Sequence, residues 1–219
     1  MKIISDIRLY KSSKPGERTS FAEKAPVVAV RRLAMKLRES GFSLGNFDHL
    51  YLVFSCNIPE GEISLIDNSD RFHPWYRYCE LGISPAKYEL LDSPEAVIYV
   101  LEQAGKALLK LFNDSASQES IIKKAVSEAS KGQEMLIRLK EKKTIALSAA
   151  IYLRLLDSGA YQPQLCVKNS ENVEILRKAL PVCMDLSSIG EIQLSSRKVS
   201  VKARKNTYAG DFQPVCFEL

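Results

Sequence analysis

The side chains that could do chemistry are few and scattered. The chain has two histidines, His49 and His73. A histidine pair can serve as acid and base in metal-free phosphodiester cleavage, because imidazole titrates near neutrality. Lysine or arginine would then hold the charged transition state. Nothing in the linear order brings the two together: His49 opens a strand-like run and His73 precedes Pro74 in a loop. Asp67-Asn68-Ser69-Asp70 superficially resembles a calcium loop, but the later glycine and closing glutamate of an EF-hand are missing, so a solvated turn fits better. The five cysteines, Cys56, Cys79, Cys166, Cys183 and Cys216, are odd in number and form no CxxC. Neither a disulfide framework nor a zinc knuckle is expected. Cys56, Cys79 and Cys166 sit in apolar runs and read as small buried hydrophobes. No GxGxxG or GxxxxGK[ST] loop occurs, and HExxH, GxSxG and DFG signatures are absent. No catalytic residue, metal or cofactor is therefore assigned, and the expectation is a protein that is not an enzyme.

Charge and aromatic residues point instead to binding. The formal charge is +5, unevenly spread. Residues 1–40 hold ten basic and four acidic groups, a net of +6; residues 48–80 hold six acidic groups against Arg71 and Arg77, a net of −4. Such asymmetry suggests surfaces of opposite sign, although solvated faces also produce it. Phe72, His73, Pro74, Trp75, Tyr76, Arg77 and Tyr78 lie close beside Asp67 and Asp70 in the chain. Trp, Tyr and Arg are enriched at binding hot spots, and the same rings are equally suited to filling a core. Glu60, Glu62, Asp67, Asp70, Trp75, Tyr76 and Arg77 form the predicted partner-binding set. Arg31, Arg32, Lys36 and Arg38 on a helix, with Lys11, Lys14 and Arg18 in a loop, offer a second patch, for phosphates. Another basic cluster lies at Arg197, Lys198, Lys202, Arg204 and Lys205.

The elements that must position these residues read as α+β: antiparallel sheets built from hairpins with packed helices. Residues 2–11 form a first strand. From Pro26, apolar positions at Val27, Val30, Leu33, Ala34 and Leu37 mark one helix face, with Gly41 as its stop. Leu50-Tyr51-Leu52-Val53-Phe54 reads as a strand buried on both sides. Glu62–Ile66 returns from it, and Trp75–Ile83 is a third strand with Tyr76, Tyr78 and Glu80 on one side. Ser93-Pro94-Glu95 starts a helix through Val97, Leu101, Ala104, Leu108 and Phe112. Ser117 caps another, over Ile121, Ile122, Ala125 and Ala129.

Beyond it, residues 135–139 and 144–155 flank the charged turn 140–143, and Tyr161–Lys168 returns, with Pro163 suggesting an edge. Ser170 opens a short helix over Val173, Leu176 and Leu180. Residues 189–194 and 199–203 make a last hairpin, and 213–219 adds a strand. The polar stretch Asn113–Gln118 is the best boundary, giving halves 1–113 and 114–219 that could share a β-β-β-α plan, though one continuous domain is also allowed. The longest weakly charged run, 144–153, is far short of the ~20 residues that span a bilayer. No signal-like segment opens the chain. A cytoplasmic protein with no membrane partner is expected.

Several of these segments resemble bacterial immunity proteins of polymorphic toxin systems, including contact-dependent growth inhibition. The likeness is carried by Lys2-Ile3-Ile4-Ser5, by Ala25-Pro26-Val27-Val28-Ala29-Val30-Arg31-Arg32-Leu33, by Phe47-Asp48-His49-Leu50-Tyr51-Leu52, and by His73-Pro74-Trp75-Tyr76-Arg77-Tyr78. It covers chiefly the first ~110 residues. The resemblance implies a toxin inhibitor that binds the C-terminal domain of a cognate toxin, often a nuclease, and occludes its active site without catalysis. Inhibitors of cationic nucleases tend to be acidic; here only residues 48–80 have that sign. The alternative is a nucleic-acid-binding accessory protein using the basic N-terminal helix and loop.

Overall fold

Leu50, Leu52 and Phe54 are fully buried on one side of their strand, and Tyr51 and Val53 are buried on the other. A strand of this kind needs neighbours along both edges, and the chain supplies them from a distance. The computed structural model describes residues 2–66, 72–112, 115–204 and 212–219. Its class is α+β, with four α-helices and twelve strands in three sheets among the described residues. Two compact units divide the chain, Met1–Met135 and Leu136–Leu219.

The first unit contains β1 (Asp6–Ser12), β2 (Thr19–Ser20), α1 (Lys24–Glu39), β3 (His49–Ser55), β4 (Ile63–Ile66), β5 (Tyr76–Gly82), α2 (Pro85–Leu90), α3 (Ala96–Phe112) and α4 (Ala116–Ala129). Its sheet runs β2-β1-β3-β5-β4. The two outer pairings are antiparallel, as hairpins require, but β1, β3 and β5 run parallel. α1 is the crossover that lets β1 and β3 run the same way. The strand expected to return beside β3 pairs with β5 instead, through Ile63↔Leu81 and Ile66↔Tyr78. Its half-exposed residues suit a sheet edge, whereas β5, with Cys79 and Leu81 buried, can take the place beside the apolar β3.

The helices lie on the Leu50-Leu52-Phe54 side, where Phe54 meets Phe21 at 5.7 Å and Tyr99 of α3 at 6.5 Å. α1 begins with Glu23 accepting from the Ala25 N–H and ends at Gly41, whose φ of 71° suits only a residue without Cβ strain. The Gly41 N–H donates to Arg38 and the Phe42 N–H to Leu37, the bonding of a Schellman stop, with Phe42 and Leu37 both buried beside it. α4 is capped by Ser115, two residues ahead of the predicted Ser117. It packs on α1 and α3. The polar stretch at 113–118 therefore lies within the first unit and is not its border.

The second unit has no α-helix among its described residues, so the expected β-β-β-α repeat is not found. A meander of β6 (Ile137–Lys143), β7 (Leu147–Leu155), β8 (Tyr161–Asn169) and β9 (Glu174–Ala179) is accompanied by a three-stranded sheet of β10 (Ile189–Leu194), β11 (Lys198–Ala203) and β12 (Val215–Glu218). Ile151, Leu153, Leu165 and Val167 from the first, with Ile189, Val199 and Val201 from the second, are buried. The segment expected as a helix after Ser170 is β9. Asn169 accepts from the N–H groups of Glu171 and Val173, and Asn172 adopts φ 63°, which turns the chain back as a hairpin. Pro163 lies inside the sheet, one residue beyond the last rung with β9. There the Leu180 N–H donates to the Pro163 carbonyl, and the Gln162 side-chain amide donates to the Leu180 carbonyl in place of the N–H that proline lacks.

Candidate functional site

Parallel register puts aromatic residues side by side on the sheet face of the first unit that faces away from its helices. Arg8 is level with Tyr51 and Tyr10 with Val53. His49 is level with Tyr76, and Tyr51 with Tyr78. Because side chains alternate along each strand, these residues share one side. Their rings form a continuous net. Tyr51 lies 5.8 Å from Tyr10, 4.9 Å from Tyr76 and 4.6 Å from Tyr78. Tyr76 continues it to His49 at 4.8 Å, to His73 at 4.6 Å in a nearly parallel stack, and to Trp75 at 6.2 Å. Cations sit over the rings: Arg8 over Tyr51, Arg18 over Tyr78 and Lys2 over Trp75, at 5.5, 4.6 and 5.2 Å. Arg8 also donates to the Tyr51 hydroxyl at 3.2 Å. Burial, followed by the hydrogen bond with Tyr76, pushes the Tyr51 phenol above its ordinary pKa. Phe72, just ahead of this net in the chain, is 85% exposed.

The predicted partner-binding residues separate on this frame. Trp75 and Tyr76 stand together at the start of β5. Glu60 and Glu62 lie at its far end, where the Gly61 N–H meets the Gly82 carbonyl, about 20 Å away along a seven-residue strand. Arg77 alternates to the helix side and lies over Phe47 at 5.0 Å. Asp67 and Asp70, and with them the calcium-like loop, lie outside the described residues. Two of the six acidic groups in residues 48–80 are paired: Asp48 meets Lys2 at 3.6 Å and His49 at 2.7 Å, and Glu60 meets Lys87 at 2.7 Å.

The basic patch is likewise not assembled. Arg32 is buried, at 3% exposure, among the helix residues facing inward. Lys36 pairs with Glu39 and Lys11 with Asp92, while Arg18 belongs to the ring face. Of the second basic cluster, Lys198 and Lys202 are exposed on β11, and Lys205 lies outside the described residues.

The two histidines do meet on one ring, Tyr76, although the linear order gave no sign of it. They serve there as packing partners. Cys79 is fully buried and its thiol is pushed up to about 12, and burial also raises Cys166; both fit the reading as small hydrophobes, whereas Cys56 is half-buried. All five cysteines are free. Among the described residues no group of histidine, cysteine and carboxylate side chains could hold a metal ion, and no helix is long and apolar enough to cross a membrane. Arg8, Tyr10 and Tyr51 are the site residues that sequence reasoning missed, and Arg18, expected in a phosphate-binding patch, joins them over Tyr78. The alternation Asp6-Ile7-Arg8-Leu9-Tyr10 carried the signal for Arg8 and Tyr10, but only the parallel register reveals that they join Tyr51 and Tyr76. No protein-family model matches this chain, and neither a curated protein nor a solved structure does.

Proposed function

We propose that this chain is an immunity protein, which binds a cognate bacterial toxin domain in the cytoplasm and neutralises it by occlusion, with the ring-lined face of the first unit as its contact. The observation that carries the proposal is the run from Phe72 to Tyr78, which ends in a net of packed rings and begins with a large apolar side chain left in solvent. Rigid Trp and Tyr side chains beside arginine are the residue types that dominate protein–protein binding energy.

The internal stacking also weighs against the nucleic-acid alternative. Single strands bind by stacking bases on open aromatic faces. Here the faces of Tyr51, Tyr76 and Tyr78 are already occupied by neighbouring rings and guanidinium groups, which suits a firm relief for a protein surface. The contact set then becomes Phe72, Trp75 and Tyr76 with Arg8 and Arg18; Glu60 and Glu62 fall to the rim or outside it.

Growth rescue tests the proposal. A toxin-like domain, if one is encoded next to this chain, is expressed with it, and cells are expected to survive. The double variant Phe72→Ala/Trp75→Ala, at unchanged melting temperature and protein level, is expected to lose protection. Full protection by that variant would remove this face from the contact, and death of cells carrying the unaltered chain would reject the immunity reading.

A further inference from the structure

In the second unit, the polar side of the meander holds a concavity of about 260 Å³. Register builds it: Glu141 lies level with Ala150 and Lys143 with Ser148, while Ser148 is level with Lys168 and Ala150 with Cys166. Its floor is small and dry, since Ala150 and Cys166 are both buried. Its walls are charged. Arg138, Lys143 and Lys168 line it, against Glu141 alone among carboxylates. Glu141 is shared, 3.3 Å from Lys143 and 3.6 Å from Arg138. The Lys168 ammonium donates to the neutral side chain of Asn172 at 3.1 Å. The neighbouring Arg177 adds no excess, because Glu174 clamps it at 2.8 Å. Lys143 and Lys168 outnumber Glu141, Arg138 stands beside them, and the hydroxyls of Ser148 and Tyr152 add two neutral donors.

We propose that this pocket binds a phosphate group. The excess of cationic over anionic side chains around the pocket suits an anion with several acceptor oxygens. Lysine ammoniums act as point charges for phosphate, and an arginine fork presents paired donors to its oxygens. The small floor lets the anion settle between the strands, where the stems of the long side chains reduce its contact with water. The pocket is independent of the ring-lined face, so its fate does not decide the proposal made for that face.

Titration of the full-length protein with inorganic phosphate at pH 8 and low ionic strength, followed by amide NMR, tests this. Shifts at Ser148, Tyr152, Lys168 and Asn172 are expected to saturate, with a dissociation constant on the order of millimolar. The double variant Lys143→Met/Lys168→Met is expected to bind at least about tenfold more weakly while melting as the parent does. Lys178→Met, an exposed lysine whose partner across the ladder is the inward-facing Leu165, is expected to change nothing. A second arm uses uridine 5′-monophosphate: tighter saturation than phosphate assigns the pocket to a nucleotide-borne group, and equal saturation to phosphate alone. Shifts that rise without saturating in both arms, or that are the same in the double variant, would overturn the proposal.

Discussion

Two sheet faces, one in each unit, are built on the same alternation of side chains and end in opposite chemistry. On the first, the outward positions are Arg8, Tyr10, His49, Tyr51, Tyr76 and Tyr78, and ring stacks on ring until Tyr51 is buried. On the second, the outward positions include Ser148, Ala150, Tyr152, Cys166 and Lys168, and long charged side chains arch over small ones. The aromatic face is held by dispersion and quadrupole contacts, which salt does not screen. The charged face is held by ion pairs that salt and pH both reach. The proposed toxin contact is of the first kind and the proposed phosphate site of the second.

The largest effect that bears on this contrast is expected at the rim of the first face. A Cβ on Gly82 would lie 1.8 Å from the Pro59 carbonyl oxygen, a clash with backbone that no side-chain rotation relieves. Gly82→Ala is expected to cost more than about 4 kcal/mol, read as a lower urea midpoint; a shift of under about 1 kcal/mol would show this end of the sheet to be pliable. Next comes the pair Tyr51→Ala and Tyr152→Ala. Loss of the central ring of the net is expected to cost about 3–5 kcal/mol, the range for a large buried aromatic. Loss of the half-exposed Tyr152 is expected to cost below about 1.5 kcal/mol. Equal losses in chemical denaturation would erase the distinction between the faces.

The smallest effect is the pH response of the second unit. Hydrogen bonding from Arg177, then from the Cys166 thiol, lowers Glu174 to about 2. A carboxylate with a depressed folded pKa contributes stability that is fully present above its unfolded pKa of about 4.3. That contribution is lost as pH falls from there through the folded value near 2. Both partners are well exposed to solvent, so screening holds the effect below about 1 kcal/mol. Glu174→Gln is expected to flatten the decline in stability between pH 4.5 and pH 2, measured by denaturation at each pH. An unchanged slope would assign that decline to other carboxylates.

Much of the fold could be read from the chain, and the misreadings share a cause. Strong apolar runs placed β3, β5, α1, α3 and the last hairpin, because burial leaves its period in the sequence. The parallel order of β1, β3 and β5 leaves no such local trace. β9 was misread because Val173, Leu176 and Leu180 are spaced as on a helix, while the deciding feature is the positive φ of Asn172. The polar stretch at 113–118 suggested a border, yet Ile122, Ala125 and Ala129 bury α4 against the first unit. The site was legible in part. Trp75 and Tyr76 stood out by type, but their partners Arg8, Tyr10 and Tyr51 come from strands far apart in the chain. Arg32 looked like a surface charge and is buried.

The central claim is that the aromatic face grips the toxin and the charged face does not. Its most direct test is the dissociation constant for the purified toxin domain, measured by calorimetry for Phe72→Ala/Trp75→Ala and for Lys143→Met/Lys168→Met. Two hot-spot losses of about 2 kcal/mol each predict weakening by roughly a thousandfold for the first variant, with the second unchanged within about twofold. The reverse pattern, tight binding without the rings and loss of binding without the lysines, would contradict the account.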